Sequence, residues 1–306
     1  MNRPFFRKSF FIEIVFIVII LASSLLPELS ADEAKQKIKF FRPSEPGNVM
    51  VCDIGAEAKA VTVMTNNDGT KAEKVLSNKI AVSGVLTVMT VTDYGRPATI
   101  EFKIEKVEGD LSGREVKFAC DNKVLKINLE TKPCEFRIKD SDAEIGREEI
   151  LLLSLVFRRT RKENMSDFIG TENAVGVGDE WKTPLTPLQD EFEKRGLKAA
   201  DLKMNGNVKL MEKKAVHGYD CWILDANLDA SKDEEFVFEF KAEICLPVDG
   251  KTGAVKISRL SSEKFSKKVD DRNNALMPDV KEITMTITDK MATVMVPVER
   301  KGDKSK

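Results

Sequence analysis

The chain has 306 residues, of which 42% are hydrophobic and 32% are charged, a balance typical of a folded globular protein and too apolar for a disordered one. Lysine and arginine together total 49, against 50 aspartate and glutamate residues, so the chain has no net positive charge to attract nucleic acid. Aromatic residues make up only 7%, which argues against a stacking surface for bases or sugars.

The first 31 residues have the pattern of a secretion signal. Three basic side chains precede an uncharged apolar stretch at residues 14–26, and small residues follow it. We therefore predict a signal peptide over residues 1–31 and an exported protein, either periplasmic or extracellular. The alternative is an uncleaved membrane anchor over residues 10–26, which approaches the length of a membrane span.

Alternating apolar and polar residues predict half-buried antiparallel strands in the next part of the chain. Residues 85–92 and 98–107 form one such pair, joined by a turn that contains glycine and proline. A second hairpin is predicted over residues 116–129, with its turn at Asp121 and Asn122.

One clear helix follows these strands. Ser141 or Asp142 is a suitable N-terminal cap, residues 150–157 are almost continuously apolar, and Arg158 begins a basic pair that suits the C-terminal end of a helix. The polar, glycine-containing segment after this helix predicts a boundary. We assign residues 32–161 to an N-terminal β-meander plus helix, and residues 162–306 to a C-terminal β-meander.

The second half contains a weaker helix at about residues 187–195, stopped by Gly196, and then more strands. The longest alternating row contains Phe236, Phe238, Phe240, Ala242, Ile244 and Leu246. A last hairpin is predicted over residues 283–298, with Asp289 and Lys290 at its turn.

These elements predict a mainly β, α+β fold of antiparallel meanders with one or two helices. The meanders form either one curved sheet wrapped on a helix or two sheet-and-helix halves. On a curved sheet, an apolar concave face for a ligand could be supplied by Trp222, Leu224 and the three phenylalanines of the long row. The same side chains suit an ordinary core.

No catalytic site is assigned from the sequence. His217 is the only histidine, and it lies between two strand-like segments, where a turn is expected. Cys221 follows four residues later, but four residues of strand span about 13 Å, which is too far for a direct Cys–His hydrogen bond. We therefore predict a protein that is not an enzyme and has no bound cofactor.

Two weaker site candidates lie in the same region. Cys221 and Cys245 flank the polar turn at residues 231–235, and a cross-strand disulfide between them is geometrically allowed.

Asp225, Asn227 and Asp229 match the start of an EF-hand calcium loop. Ala230 and Phe236, however, replace its essential glycine and glutamate. These three side chains are weak candidates, and no metal site is assigned.

The segment from Ala174 to Trp181, with the sequence AVGVGDEW, resembles a family of exported bacterial proteins of unknown function. In that family a Val-x-Val-Gly-Asp-x-Trp segment opens the second half, and three later short segments are similar to the same pattern: Gly206 to Leu210, His217 to Cys221, and Leu246 to Asp249. The resemblance covers about residues 80–260. It implies an exported β-rich domain with no assigned activity. The glycines and Asp179 suit a tight turn, and Trp181 suits an anchor in the core.

The resulting functional prediction is an exported, non-catalytic protein that binds a partner or an apolar ligand in the cell envelope, and no nucleic acid. One alternative is an envelope hydrolase that uses carboxylates or Cys221. Another is a membrane-anchored structural protein.

Overall fold

The computed structural model describes residues 35–162, 169–269 and 279–298, and most of these residues form antiparallel β-strands. The predicted signal peptide at residues 1–31 and the alternative anchor at residues 10–26 lie outside the described residues. The described residues from Lys37 onward belong to one compact unit.

The described residues form fourteen strands and two α-helices. The strands are β1 (Gln36–Ile38), β2 (Val49–Asn66), β3 (Lys71–Val91), β4 (Pro97–Leu111), β5 (Arg114–Glu115), β6 (Val124–Asn128), β7 (Glu135–Ile138), β8 (Thr171–Val175), β9 (Glu180–Lys182), β10 (Lys203–Val216), β11 (Tyr219–Lys232), β12 (Phe236–Pro247), β13 (Lys256–Lys268) and β14 (Val280–Pro297). The helices are α1 (Arg147–Val156) and α2 (Thr186–Lys194).

Twelve strands form one sheet in the order β7, β6, β4, β3, β2, β14, β13, β12, β11, β10, β9, with β5 paired to β4. The strands β1 and β8 form a separate pair. The last strand, β14, lies between β2 and β13, so both predicted halves belong to one continuous sheet. The predicted mainly β fold with a curved antiparallel sheet is confirmed, and the predicted boundary near residue 162 falls within a single compact unit.

Side chains of successive strand residues point to opposite faces of the sheet. In β2, Cys52, Ile54 and Ala56 are buried on one face. Strand pairing continues this face from Ala56 to Met291 of β14, then to Arg259 of β13 and Ala242 of β12. Both helices pack here, so we call it the helix-covered face and call the opposite one the open face.

Two hydrophobic cores share the helix-covered face. In the first, Leu152 and Leu153 of α1 are fully buried against β2, β3 and β4. In the second, Phe192 of α2 packs edge-on against Phe236 and Phe238, with ring centroids 5.2 and 5.4 Å apart. Burial of apolar surface under each helix holds the sheet and the helices together.

Two predicted hairpins are wrong. The chain does turn at Asp121 and Asn122, where the Lys123 N–H donates to the Cys120 carbonyl at 3.1 Å, but no hairpin forms there, because β5 and β6 both pair with β4 and occupy different parts of the same edge. The C-terminal residues form one unbroken strand, and Asp289 and Lys290 lie in its middle, opposite Ser261 and Leu260 of β13. The two polar residues suggested a turn, but pairing with strands on both sides keeps β14 extended. The hairpin of β3 and β4 is confirmed.

The first helix is shorter than predicted. It begins at Arg147 and not beside Ser141 or Asp142, because Glu149 supplies the cap: its Oε2 accepts a hydrogen bond from the Gly146 N–H at 3.1 Å. Glu149 Oε1 also accepts from the Cys120 N–H at 3.3 Å. The second helix is confirmed, and it ends just before Gly196, whose φ of +85° suits glycine.

Candidate functional site

A groove of about 840 Å³ crosses the open face of the sheet. Its lining comes from seven consecutive strands, β4, β3, β2, β14, β13, β12 and β11. Gly55 and Glu57 flank the buried Ala56, so they lie on the open face, and the same alternation applies to each of the other strands. The residues between them, such as Ala56 and Ile80, also border the groove but are only 8% and 3% exposed, and β11 contributes only Asp225 of the open face, so the groove lies on the opposite face from both helices.

The floor of the groove is built from small residues. Strand pairing places Ala81, Gly55, Ala292 and Ser258 side by side in one row across β3, β2, β14 and β13. We call this row the small-residue floor. A Cβ atom added at Gly55 would meet no other atom within 4 Å, so the space above the floor is open.

A second row, which we call the charged row, lies one pleat further along the strands. It contains Lys79, Glu57, Lys290, Leu260 and Lys241 in neighbouring positions. Lys79 forms an ion pair with Glu57 at 3.6 Å. Lys241 and Lys290 form no ion pair with any residue of the described ranges, and both point from the open face beside Leu260.

On the opposite side of the floor, four valines lie around the exposed Asp53. Val51 and Val85 are directly paired, Val296 is paired with Val51, and Val294 lies one pleat closer to the floor. These four residues form what we call the valine patch. Val51 is 48% exposed, so part of this apolar surface is available to a ligand.

A small buried cluster lies on β11, on β12 and just before β13, separated from the valine patch by Lys256. It contains Cys221, Ile223, Cys245 and Val255. Burial raises the pKa of the Cys221 thiol to about 11, with the neighbouring Cys245 adding to the effect. At neutral pH only about one Cys221 thiol in ten thousand is therefore a thiolate, and nucleophilic chemistry requires the thiolate.

A separate polar cluster lies on the helix-covered face between the two cores. Arg158 donates a hydrogen bond to Asp289 at 3.2 Å, and Arg259 donates to the Met291 Sδ at 3.0 Å. Burial lowers the pKa of Arg259 to about 10; nearby Arg158 lowers it further, and Asp289 opposes the shift. Arg259 remains protonated at neutral pH, so this cluster keeps a charge between the cores.

The structure separates the residues considered for catalysis. His217 is exposed in the turn between β10 and β11, with a φ of +50°, as the turn prediction required. Cys221 is buried and donates a weak hydrogen bond to the Tyr219 carbonyl at 3.5 Å.

The predicted disulfide partners lie on adjacent strands but are not directly opposite. Cys221 is paired with Pro247, and Cys245 is paired with Ile223, so the two cysteines are diagonal neighbours. Diagonal Cα atoms are about 7–8 Å apart, whereas a disulfide needs less than about 7 Å. Both thiols are free and buried. The disulfide stays a prediction, and its formation would require the strands to shift.

Asp225, Asn227 and Asp229 all lie on the open face of β11, at alternate positions along one strand. Alternate residues of a strand are about 6.8 Å apart, so the three side chains do not converge as they do in a calcium loop. In the described ranges, no group of three carboxylate, histidine or thiol side chains is arranged to hold a metal ion.

The aromatic residues considered as a ligand surface lie elsewhere. Trp222, Leu224, Phe236, Phe238 and Phe240 are buried in the core that α2 covers. They lie on the helix-covered face, and the interpretation as ordinary core is correct for them. The groove residues were missed because each strand contributes only one or two small or charged side chains.

The segment that carries the family resemblance forms a turn and an anchor. Asp179 Oδ2 accepts a hydrogen bond from the Gly176 N–H at 3.0 Å, and Gly178 has a φ of +90°. Trp181 is buried and donates from Nε1 to the Ile169 carbonyl at 3.0 Å. These contacts agree with a structural role for the segment.

No family model and no curated protein matches this chain. Solved structures match only distantly. Lipovitellin, from a study of its lipid–protein interactions, is 8% identical, with 84% of this chain and 26% of lipovitellin covered and a TM-score of 0.32. This chain thus spans about a quarter of lipovitellin.

Two further solved structures are still less similar. A protein from Bacteroides fragilis NCTC 9343, described as exported and as having a YmcC-like fold, is 10% identical over 81% of this chain and 98% of its own, with a TM-score of 0.18. An acetoacetate decarboxylase-like enzyme from Sphingomonas wittichii RW1 is 10% identical over 81% of this chain and 92% of its own, with a TM-score of 0.09. Similarities this low carry no argument about function.

Neither α1 nor α2, nor any other helix of the described ranges, is long and apolar enough to cross a membrane. Residues 10–26, the alternative anchor, are not among those ranges.

Proposed function

We propose that this protein is exported and non-catalytic, and that it binds an apolar ligand in the groove on its open face. The groove carries this proposal. Its volume of about 840 Å³ lies within the range of about 300–1,000 Å³ that is usual for small-molecule sites. Its small-residue floor leaves room for a ligand, and the valine patch beside it offers an apolar contact surface.

Ligand binding is tested with Nile red, a neutral apolar dye whose fluorescence rises in apolar surroundings. The test compares the wild-type protein with a Gly55→Trp variant, whose indole projects into the groove because nothing lies within 4 Å of the new Cβ. Ala215→Trp, on an exposed part of β10 outside the groove, is the matched control. We expect Gly55→Trp to weaken binding at least fivefold and Ala215→Trp to leave it unchanged. Equal binding by all three proteins would remove the groove as the site.

Export is supported by the signal pattern of residues 1–31. The test is the intact mass of the protein recovered from the periplasm of a bacterial expression host. A mass that corresponds to a chain beginning near residue 25 or 32 agrees with a cleaved signal. A mass that retains Met1 agrees with the anchored alternative over residues 10–26 and contradicts cleavage.

A further inference from the structure

The open face is amphiphilic along β14. The charged row, the small-residue floor and the valine patch follow one another on this strand, from Lys290 through Ala292 and Val294 to Val296, whereas on the neighbouring β2 the exposed Asp53 lies between Gly55 and Val51. Six residues of strand cover about 20 Å. One acyl chain spans about 15 Å, half of the bilayer hydrocarbon core. The floor and the patch, from Ala292 to Val296, account for about 14 Å of this length, so they carry nearly the whole of one alkyl chain lying along β14.

The charges around the groove are not equivalent, because several are already neutralised by partners. Glu57 pairs with Lys79 and Glu243 pairs with Lys256, both at 3.6 Å. Glu108 pairs with Lys106 at 2.9 Å. These three carboxylates thus have cations of their own.

Two lysines remain at the centre without an ion pair in the described residues. Lys290 and Lys241 lie on either side of Leu260 in the charged row. Their strands are two apart in the sheet, so their Cα atoms are about 10 Å apart, and two flexible side chains can reach the same ligand atom. Asp110 and Asp225 lie at the outer strands of the groove, where they repel an anion toward the centre.

We propose that the ligand of the groove is an anionic amphiphile, with its acidic head group above Leu260 between Lys241 and Lys290 and its alkyl chain on the small-residue floor and the valine patch. This inference rests on the proposed function and names the chemical class of its ligand. The lysines supply positive charge within the groove, and the valines supply an apolar surface beside it. Neutral and cationic amphiphiles of equal chain length lack the first of these interactions.

The experiment measures the affinity of the delipidated protein for two lipids with the same myristoyl chain, lysophosphatidylglycerol and lysophosphatidylcholine, and for inorganic phosphate. The lysine variant is Lys241→Gln with Lys290→Gln. The matched control is Lys264→Gln with Lys268→Gln, which removes the same charge from exposed positions of the open face outside the groove. Thermal unfolding of both variants verifies that they are folded.

We expect the anionic lipid to bind about tenfold more tightly than the zwitterionic lipid, since each exposed lysine contributes up to about fivefold. The lysine variant should lose this preference, and the control variant should keep it. The preference should also decrease as salt is raised from 0.05 to 0.5 M, roughly, because the lysines are solvent-accessible.

The outcomes separate this inference from the proposed function. Equal binding of the two lipids, together with Nile red binding in the groove, would overturn the anionic class and leave the proposed function standing. Absence of binding for both lipids and for Nile red would overturn both. Inorganic phosphate binding as tightly as the anionic lipid would overturn the amphiphile, because the alkyl chain would then contribute nothing.

Discussion

Two glycines on opposite faces of the sheet should respond oppositely to the same substitution. A Cβ added at Gly109 would lie 2.7 Å from Leu152 Cδ1 and 3.0 Å from both Phe118 Cζ and the Lys79 carbonyl oxygen. Leu152 is fully buried under α1, so it has little room to move. Gly55, on the open face, has no atom within 4 Å of its added Cβ.

We therefore expect Gly109→Val to destabilise the protein by about 1–3 kcal/mol through overpacking. Gly55→Val should be neutral or stabilising by up to about 1 kcal/mol, because valine favours strands and restricts the unfolded chain. With a urea m-value of about 2–3 kcal/mol/M, the two unfolding midpoints should differ by about 1 M. The assay is urea unfolding followed by circular dichroism.

A double variant locates the cause of the expected difference. If Leu152 is the obstacle, Gly109→Val should cost less in a Leu152→Ala background than in the wild type. Equal midpoints for the two single variants, or a loss of stability at Gly55 as large as that at Gly109, would refute the assignment of the groove to a free face of the sheet.

Three further predictions concern stability. Glu149→Leu removes the acceptor of the Gly146 and Cys120 N–H groups, so it should lower the free energy of unfolding, measured in urea, by about 1–3 kcal/mol. Glu148→Leu, at an exposed position of the same helix turn, should lower it much less. Trp181→Ala should lower the free energy of unfolding by about 3–5 kcal/mol. Trp181→Phe loses only part of the ring and the hydrogen bond to Ile169, so its stability should lie between that of Trp181→Ala and that of the wild type. Equal losses of stability in these two variants would contradict the anchoring role. The pKa of Cys221 is raised in the folded state from the ordinary 9.0 to about 11, so folding favours the protonated thiol. The free energy of unfolding should therefore fall as the pH rises from about 9 through about 11, and Cys221→Ala should make this fall less steep. An equally steep fall in the variant would contradict the raised pKa.

Local patterns were sufficient to predict much of the fold. The row from Phe236 to Leu246 alternates so regularly that both its extended conformation and its buried face follow from the sequence. The turn before β4 and the glycine after α2 were also recognised, because glycine and proline act over a few residues. Asp289 and Lys290 misled the prediction for the opposite reason: two neighbouring strands hold them extended, and those strands are distant in sequence.

The groove was not predictable by the same means. Gly55, Ala81 and Ala292 belong to three strands and become neighbours only through pairing between distant parts of the chain. Lys241 and Lys290 likewise read as ordinary exposed residues when each strand is considered alone. To recognise that these side chains are neighbours, one would have to know how β14 pairs, residue by residue, with both β2 and β13.

The central place of β14 also has a consequence for the order in which the molecule can fold. Its pairing with β2 joins residues more than 200 positions apart, such as Cys52 and Met295. Contacts of such high sequence separation form slowly, because a long loop must close before they contribute. A chain emerging from a ribosome therefore lacks the strand that joins the two sides of its sheet until β14 has been synthesised, and β2 and β13 keep an unpaired edge until then.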